Sequence, residues 1–254
     1  MTEVLDELVA LSRRIGRPEC DYVILAEGNT SVRLDDDTFL VKASGARLDG
    51  ITAAEFVRLG LAPLVEAVLD DDERDVRALF RSARAEPSPG PGEPSIETFV
   101  HVVALGLGGA RWVVHTHPTV LTGLLCSETA EEILLAGPLF PDEAVVCGSA
   151  PLYVPYFEPG LALARALAPR LQEYVDRLGA PPRTILLANH GLVALGGSAA
   201  EAEAVTAMAV KAARIRAAAL AAGGLRALRA ASVQDLVGRD DEIERRARLV
   251  GGST

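Results

Sequence analysis

The chain has 254 residues, 49% of them hydrophobic and 24% charged, with 35 acidic against 25 basic side chains and a formal net charge of -10. That is too apolar for a disordered chain, long enough for a substantial core, and too acidic for tight non-specific binding of nucleic acid. No apolar run reaches the roughly 20 residues that span a bilayer, and the opening MTEVLDELVA is acidic where a secretory signal is basic.

Thr2 caps a first helix whose buried side is Leu5, Leu8, Val9 and Leu11 and whose stop is Gly16. TSVRL and TFLVKAS flank Asp35-Asp36-Asp37 and read as a hairpin around a solvated turn. Residues 53–85 are mostly helical in pattern, interrupted near Leu61–Pro63. EPSPGPGEP (86–94) is a loop by composition, too short for a domain linker. A helix is expected from Ser95 to about Leu107, a strand at RWVVH (111–115), and a helix in PTVLTGLLC. VVCGSAPLYVPY holds one or two short strands, and LALARALAPRLQEYVDRL an amphipathic helix broken near Pro169. TILLA (184–188) and LVALG are strands around the turn Asn189-His190-Gly191. Ser198 caps an alanine-rich helix to about Ala222, followed by a charged, weaker helix from Leu225. Strands and helices interleave without a repeat or compositional break, which predicts a single α/β domain over residues 1–254. Cys20, Cys126 and Cys147 lack CxxC spacing and read as reduced core residues of a cytoplasmic protein.

Chemistry concentrates in few residues. His115 and His117 are two apart, so an extended strand projects both imidazoles from one face. If RWVVH and TILLA lie close in one sheet, His190 joins them. Three neutral imidazoles with an open position suit a catalytic Zn²⁺ or a similar divalent ion; the same spacing fits unrelated histidines, and spacing alone does not choose. Glu97, in PSIE, sits at a helix start. There it either complements the helix dipole, with Ser95 as cap, or exchanges a proton beside a metal-polarised carbonyl. His101, one turn later, reads as a packed or hydrogen-bonded helix residue. Gly28-Asn29-Thr30-Ser31 and Ser44-Gly45 are either turn chemistry or a phosphate cradle. Lys42, one of only two lysines, reads as solvated or paired, since no desolvated pocket is evident for a Schiff-base nucleophile.

GNTSV (28–32), KASG (42–45), PSIE (94–97), HTH (115–117), PYFEPG (155–160) and NHG (189–191) follow one another in this order. Together they resemble the class II aldolase/adducin-like family, which includes fuculose- and rhamnulose-phosphate aldolases and ribulose-phosphate 4-epimerase, over roughly residues 1–222. The resemblance implies an α/β/α domain around a mostly antiparallel sheet and a homotetramer with active sites near subunit interfaces. It implies His115, His117 and His190 as ligands of Zn²⁺ or another divalent transition metal, and Glu97 as acid/base. Gly28, Asn29, Ser44, Gly45 and Ser95 would hold the phosphate of a sugar phosphate. The implied reaction is aldol cleavage of a ketose phosphate to dihydroxyacetone phosphate and an aldehyde, through an enediolate stabilised by the metal. Epimerisation, dehydration or decarboxylation at the same site, and a non-catalytic adducin-like scaffold, are the alternatives. Two departures stand out: Ile96 replaces a serine before the glutamate, and no tyrosine follows His117 through ILLAGPLFPDEAVV, where an aldehyde-side proton donor is used in the fuculose-phosphate branch. Tyr156 reads as structural.

Overall fold

The structure, a computed structural model, describes residues 2–239. Seven strands form one sheet: β1 (Asn29–Arg33), β2 (Thr38–Lys42), β3 (Phe56–Gly60), β4 (Trp112–Thr116), β5 (Leu152–Val154), β6 (Thr184–Leu187) and β7 (Gly191–Gly196). Their order is β3-β2-β1-β4-β7-β6-β5. Each neighbouring pair is antiparallel except β5 and β6, which run parallel. This is the α/β/α architecture around a mostly antiparallel sheet that the motifs imply.

Alternation along the strands sorts two cores. On one face, Val32, Leu40, Trp112 and Val114 pack against Leu5, Leu8, Leu11 and Ile15 of α1 (Thr2–Ile15) and against Ala202 and Val205 of α9 (Ala199–Ala221). On the other, Phe39, Val41, Val113 and Val193 meet α2 (Ala62–Leu69), α4 (Thr98–Gly106) and α8 (Leu161–Leu178). The short helices α5 (Thr119–Leu125) and α6 (Ala130–Leu135) close a third cluster with α9 over Leu186 and Leu192. The remaining described helices are α3 (Val76–Ala83), α7 (Pro141–Cys147) and α10 (Ala230–Gly238). No helix among the described residues is long and apolar enough to cross a membrane.

Several expectations are corrected. The stretch 53–85 is not mostly helical, because Phe56–Gly60 is the edge strand β3. Phe56 enters the α1 core while Val57 and Leu59 enter the opposite one, an alternation obscured by helical residues on both sides. The helix expected from Ser95 begins at Thr98, with Ser95–Glu97 forming a turn ahead of it. In VVCGSAPLYVPY, VVC belongs to α7 and only Leu152–Val154 is a strand. The helix around Pro169 is continuous: Leu163, Leu167, Leu171 and Tyr174 are buried on one side, whereas Pro169 lies on the exposed side. α1 does end before Gly16, as expected, and only glycine fits there, since a Cβ would collide with Leu48 and Asp49. Of the cysteines only Cys147 is a core residue; Cys126 is exposed, Cys20 half-buried, and all three are free. The part of the charged tail beyond residue 239 lies outside the described residues.

Candidate metal centre

β4 lies between β1 and β7, so both of its edges are hydrogen-bonded. His115 stands opposite Asn29 on one side and Val193 on the other, fully buried. Its Nδ1 donates to the carbonyl of Leu192 at 2.9 Å, which leaves a lone pair on Nε2. His117 follows the strand end on the same side, its backbone N–H donating to Tyr22 O at 2.9 Å. His190 occupies the β6–β7 turn, which Asn189 makes possible by adopting the left-handed conformation (φ 53°). Gly191 is required by close approach: a Cβ would press on the Thr116 carbonyl and lie 2.7 Å from the His117 ring.

These three positions turn three ring nitrogens onto one point. His117 Nε2 is 3.0 Å and His190 Nε2 3.3 Å from His115 Nε2. Glu97 Oε1 lies 3.0 Å from His190 Nε2 and 3.5 Å from His115 Nε2. The four ligand atoms lie within 4.8 Å of one another. Tetrahedral Zn–N bonds of about 2.0 Å hold neighbouring nitrogens about 3.3 Å apart. The spacing, the lone pair on His115 Nε2 and the His₃Glu donor set therefore fit a divalent cation. Burial pushes the Glu97 carboxyl up, but the imidazoles of His115, His190 and His117 outweigh it and hold the group well below the ordinary range. Burial and the neighbouring His115 push His117 down to about 3, while for His115 the carboxylate of Glu97 overcomes burial and raises it. A carboxylate among lone-pair nitrogens is the electrostatic setting that attracts a cation.

Glu97 is placed by its neighbours. Ser95 Oγ accepts from the Glu97 N–H at 3.3 Å, and Asn29 Nδ2 donates to Glu97 Oε2 at 2.7 Å. Gly28 precedes Asn29 with φ +72°, where a Cβ would meet Val23 at 2.6 Å and the His115 carbonyl at 2.8 Å. Ser44 and Gly45 form an exposed turn after β2, joined to the segment before Glu97 by Ser44 N–H to Glu93 O at 2.8 Å and an Ala43–Pro94 bridge. The described chain thus brings Gly28, Asn29, Ser95, Glu97 and the three histidines together, with Ser44-Gly45 on the adjoining turn. Asn29 enters through Glu97, a contact that spacing did not suggest.

Lys42 departs from its expected setting, whereas His101 keeps to its own. Lys42 is neither solvated nor ion-paired: it is 1% exposed, and Nζ donates to the carbonyls of Ala46 (2.7 Å), Ala26 (3.3 Å) and Ala43 (3.4 Å). Burial lowers it to about 8, against the raising influence of Glu97 and Glu55. The signal was present, since TFLVK is apolar on both faces and Lys42 shares its face with Leu40. His101 is fully buried and hydrogen-bonded to Ser31 at 2.7 Å, as its helix position suggested. Tyr156 is exposed, its hydroxyl donating to Glu158 at 3.2 Å.

Comparison with known proteins bears on family and fold. The family model "Class II Aldolase and Adducin N-terminal domain" matches residues 6–217. A 3-oxo-tetronate 4-phosphate decarboxylase of Escherichia coli O6:H1 is 36% identical over 181 residues, covering 71% of each chain. The protein of the same name from Haemophilus influenzae is 26% identical over 184 residues, 72% of this chain and 73% of that protein. Among solved structures, YgbL from Escherichia coli superposes with a TM-score of 0.69 at 23% identity, covering 93% of this chain and 98% of the other; at that identity the likeness is one of fold.

Proposed function

The chain belongs to the class II aldolase and adducin family, and from that premise we propose that it decarboxylates a phosphorylated 3-oxo sugar acid of the 3-oxo-tetronate 4-phosphate class, giving CO₂ and dihydroxyacetone phosphate. The bond that breaks joins the carboxylate to the carbon beside the ketone. Its electron pair stays on that carbon, conjugated with the carbonyl, and a proton then replaces the lost carboxylate. A divalent cation held by His115, His117 and His190 would supply positive charge against the developing enediolate. Glu97, ionised at rest, is the group placed to relay a proton from water to that carbon: Asn29 holds Oε2, and Oε1 faces the histidines. Gly28, Ser44, Gly45 and Ser95 are proposed to hold the phosphate. Asn29, proposed with them, has its amide committed to Glu97 here. Phosphate binding remote from the reacting carbon fixes its position and lowers the entropic barrier.

The observation that carries this reading is that, among the described residues, Glu97 is the one carboxylate hydrogen-bonded to the imidazoles, Glu27 Oε2 standing farther off at 3.8 Å from His117 Nδ1. Decarboxylation needs no second proton-transfer group, because CO₂ departs without losing a proton. Aldol cleavage does, to take the hydrogen from the departing hydroxyl. No tyrosine lies in 118–146, and the Tyr156 hydroxyl is bonded to Glu158. The curated relatives named above support the same choice. The working unit in this reading is a homotetramer, with Ile24 (61% exposed), Leu25 (72%) and Ile96 as surfaces for a neighbouring copy to cover; light scattering measures it.

The test is turnover of carboxyl-labelled 3-oxo-tetronate 4-phosphate by zinc-loaded protein, beside ketose 1-phosphates and ribulose 5-phosphate. Labelled CO₂ is expected. Aldehyde from a ketose phosphate without CO₂ release from the acid overturns the proposal in favour of aldol cleavage. An inert protein retaining no zinc indicates the scaffold.

A further inference from the structure

Glu97 caps the start of α4 and His101 lies one turn further along it, while Asn29 and Ser31 are two apart on the same face of β1. The structure joins them as two polar rungs of equal length: Asn29 Nδ2 donates to Glu97 Oε2 at 2.7 Å, and Ser31 Oγ is hydrogen-bonded to His101 Nδ1 at 2.7 Å. We infer that Ser31 and His101 are positioning residues, which lock α4 in one register against β1 and so deliver Glu97 to Asn29 and His190 together.

The second rung lies deep in the fold. Ser31 and His101 are both fully buried, and Phe99, Val100, Val102 and Val103 around His101 are apolar core. A bond made there has no competing water, and either partner left alone is a buried unsatisfied group. The first rung has neither advantage. Glu97 is half-buried at the helix start, where α4 has not completed its own hydrogen bonds. The ladder is therefore anchored at the inner rung. A shift of α4 along β1 by one residue rise, about 1.5 Å, would break the 2.7 Å contact at Asn29 and the 3.0 Å contact at His190 at once. His101 does not reach the cation site: its ring lies edge-on to His115, centroids 6.5 Å apart. Burial also keeps it neutral, with its pKa lowered to about 3, so it can hold this bond across the working pH range without bringing charge toward the histidines.

This inference rests on Glu97 carrying the proton, and its test separates the two ideas. Ser31→Ala, His101→Leu, His101→Asn and the Ser31→Ala/His101→Leu double variant are compared with wild type as zinc-loaded full chains. Three quantities are read: zinc content, amide hydrogen exchange of residues 95–101 against 110–116, and kcat and KM for solvent-proton exchange into dihydroxyacetone phosphate. The single variants are expected to hold zinc, to exchange amides faster in 95–101 alone, and to lose about 10- to 100-fold in kcat with KM within about twofold. His101→Asn, whose short amide can still meet Ser31, is expected to recover most of that loss. The double variant should lose no more than the worse single one. Unchanged amide exchange in 95–101, losses that multiply in the double variant, or zinc loss in step with kcat would each overturn the positioning role. If His101→Leu fails to fold, Ser31→Ala decides the question, since it removes one oxygen only. Absent proton exchange in the wild type counts against the proposed function, while the amide measurement still decides the ladder.

Discussion

Glu97 carries one of its oxygens toward each of two tasks: Oε2 is fixed by Asn29 and Oε1 faces the imidazoles. Glu97→Gln keeps the size of the side chain and removes the proton-carrying group. It is expected to retain zinc by elemental analysis and to lose about 10²- to 10⁴-fold in proton exchange at the donor carbon; wild-type exchange would remove Glu97 from that role. Lys42 yields a prediction in pH. Its folded pKa, about 8, lies below the unfolded value of 10.5. Below pH 8 both states carry the proton and the cost of burying it is present in full. Between pH 8 and 10.5 the unfolded chain binds more protons than the folded one, so stability rises with pH there. The three carbonyls favour the charged form, so roughly 3 kcal/mol is the ceiling of the effect. Urea unfolding of wild type against Lys42→Met should show that rise in the difference between the two; parallel curves would mean that the folded Lys42 titrates normally. His115 and His117 were legible as a pair because strand alternation is a local rule; that His190 joins them was implied only by the ordered motifs, because it depends on the β4–β7 pairing. The burial of Lys42 was legible from the apolar strand around it, but its carbonyl partners were not, because Ala26 and Ala46 lie in loops whose paths only the folded chain defines.

At the scale of elements, the site depends on how closely β4 and β7 approach at their ends. Gly191→Ala places a methyl group against the Thr116 carbonyl and the His117 ring. Zinc affinity by competition with a chelator is expected to fall about 10- to 100-fold, with secondary structure by circular dichroism retained. An unchanged affinity would show that β7 yields without disturbing His117. Element identity was readable from sequence where one period dominated, as in the β1–β2 hairpin around Asp35, whose Oδ1 accepts from the backbone N–H groups of Asp37 and Thr38. It failed at β3, five residues between helical stretches. It failed again at Pro169, where a local breaker is overridden by a continuous buried face. In α8 tertiary packing outweighs propensity, the usual order when a helix has a long apolar stripe to bury.

For the molecule as a whole, the cation would tie together β4, the β6–β7 turn and the segment before α4, which are distant in sequence. An ion that binds only the folded chain stabilises it, by about 2.7 kcal/mol when free zinc is a hundred times Kd. Chelation is therefore expected to lower Tm by several degrees, and zinc to restore it; a Tm indifferent to both would mean that no ion occupies the site. The layered architecture was legible from interleaved elements and ordered motifs. Which strand lies beside which was not, because β7 separates β4 from β6 and only pairing reveals it. The stretch 86–94 shows the same limit. Its prolines and glycines read as a slack connection, yet Arg84 donates to the carbonyls of Gly90 and Gly92, and Glu93 accepts from Ser44. Gly92 packs so closely that a Cβ would lie 2.7 Å from Ala43. A protease needs several residues to peel into its cleft, and this segment has none to lend. Brief digestion is expected to leave 86–94 uncut, and early cleavage there would show that these bonds do not hold the segment down.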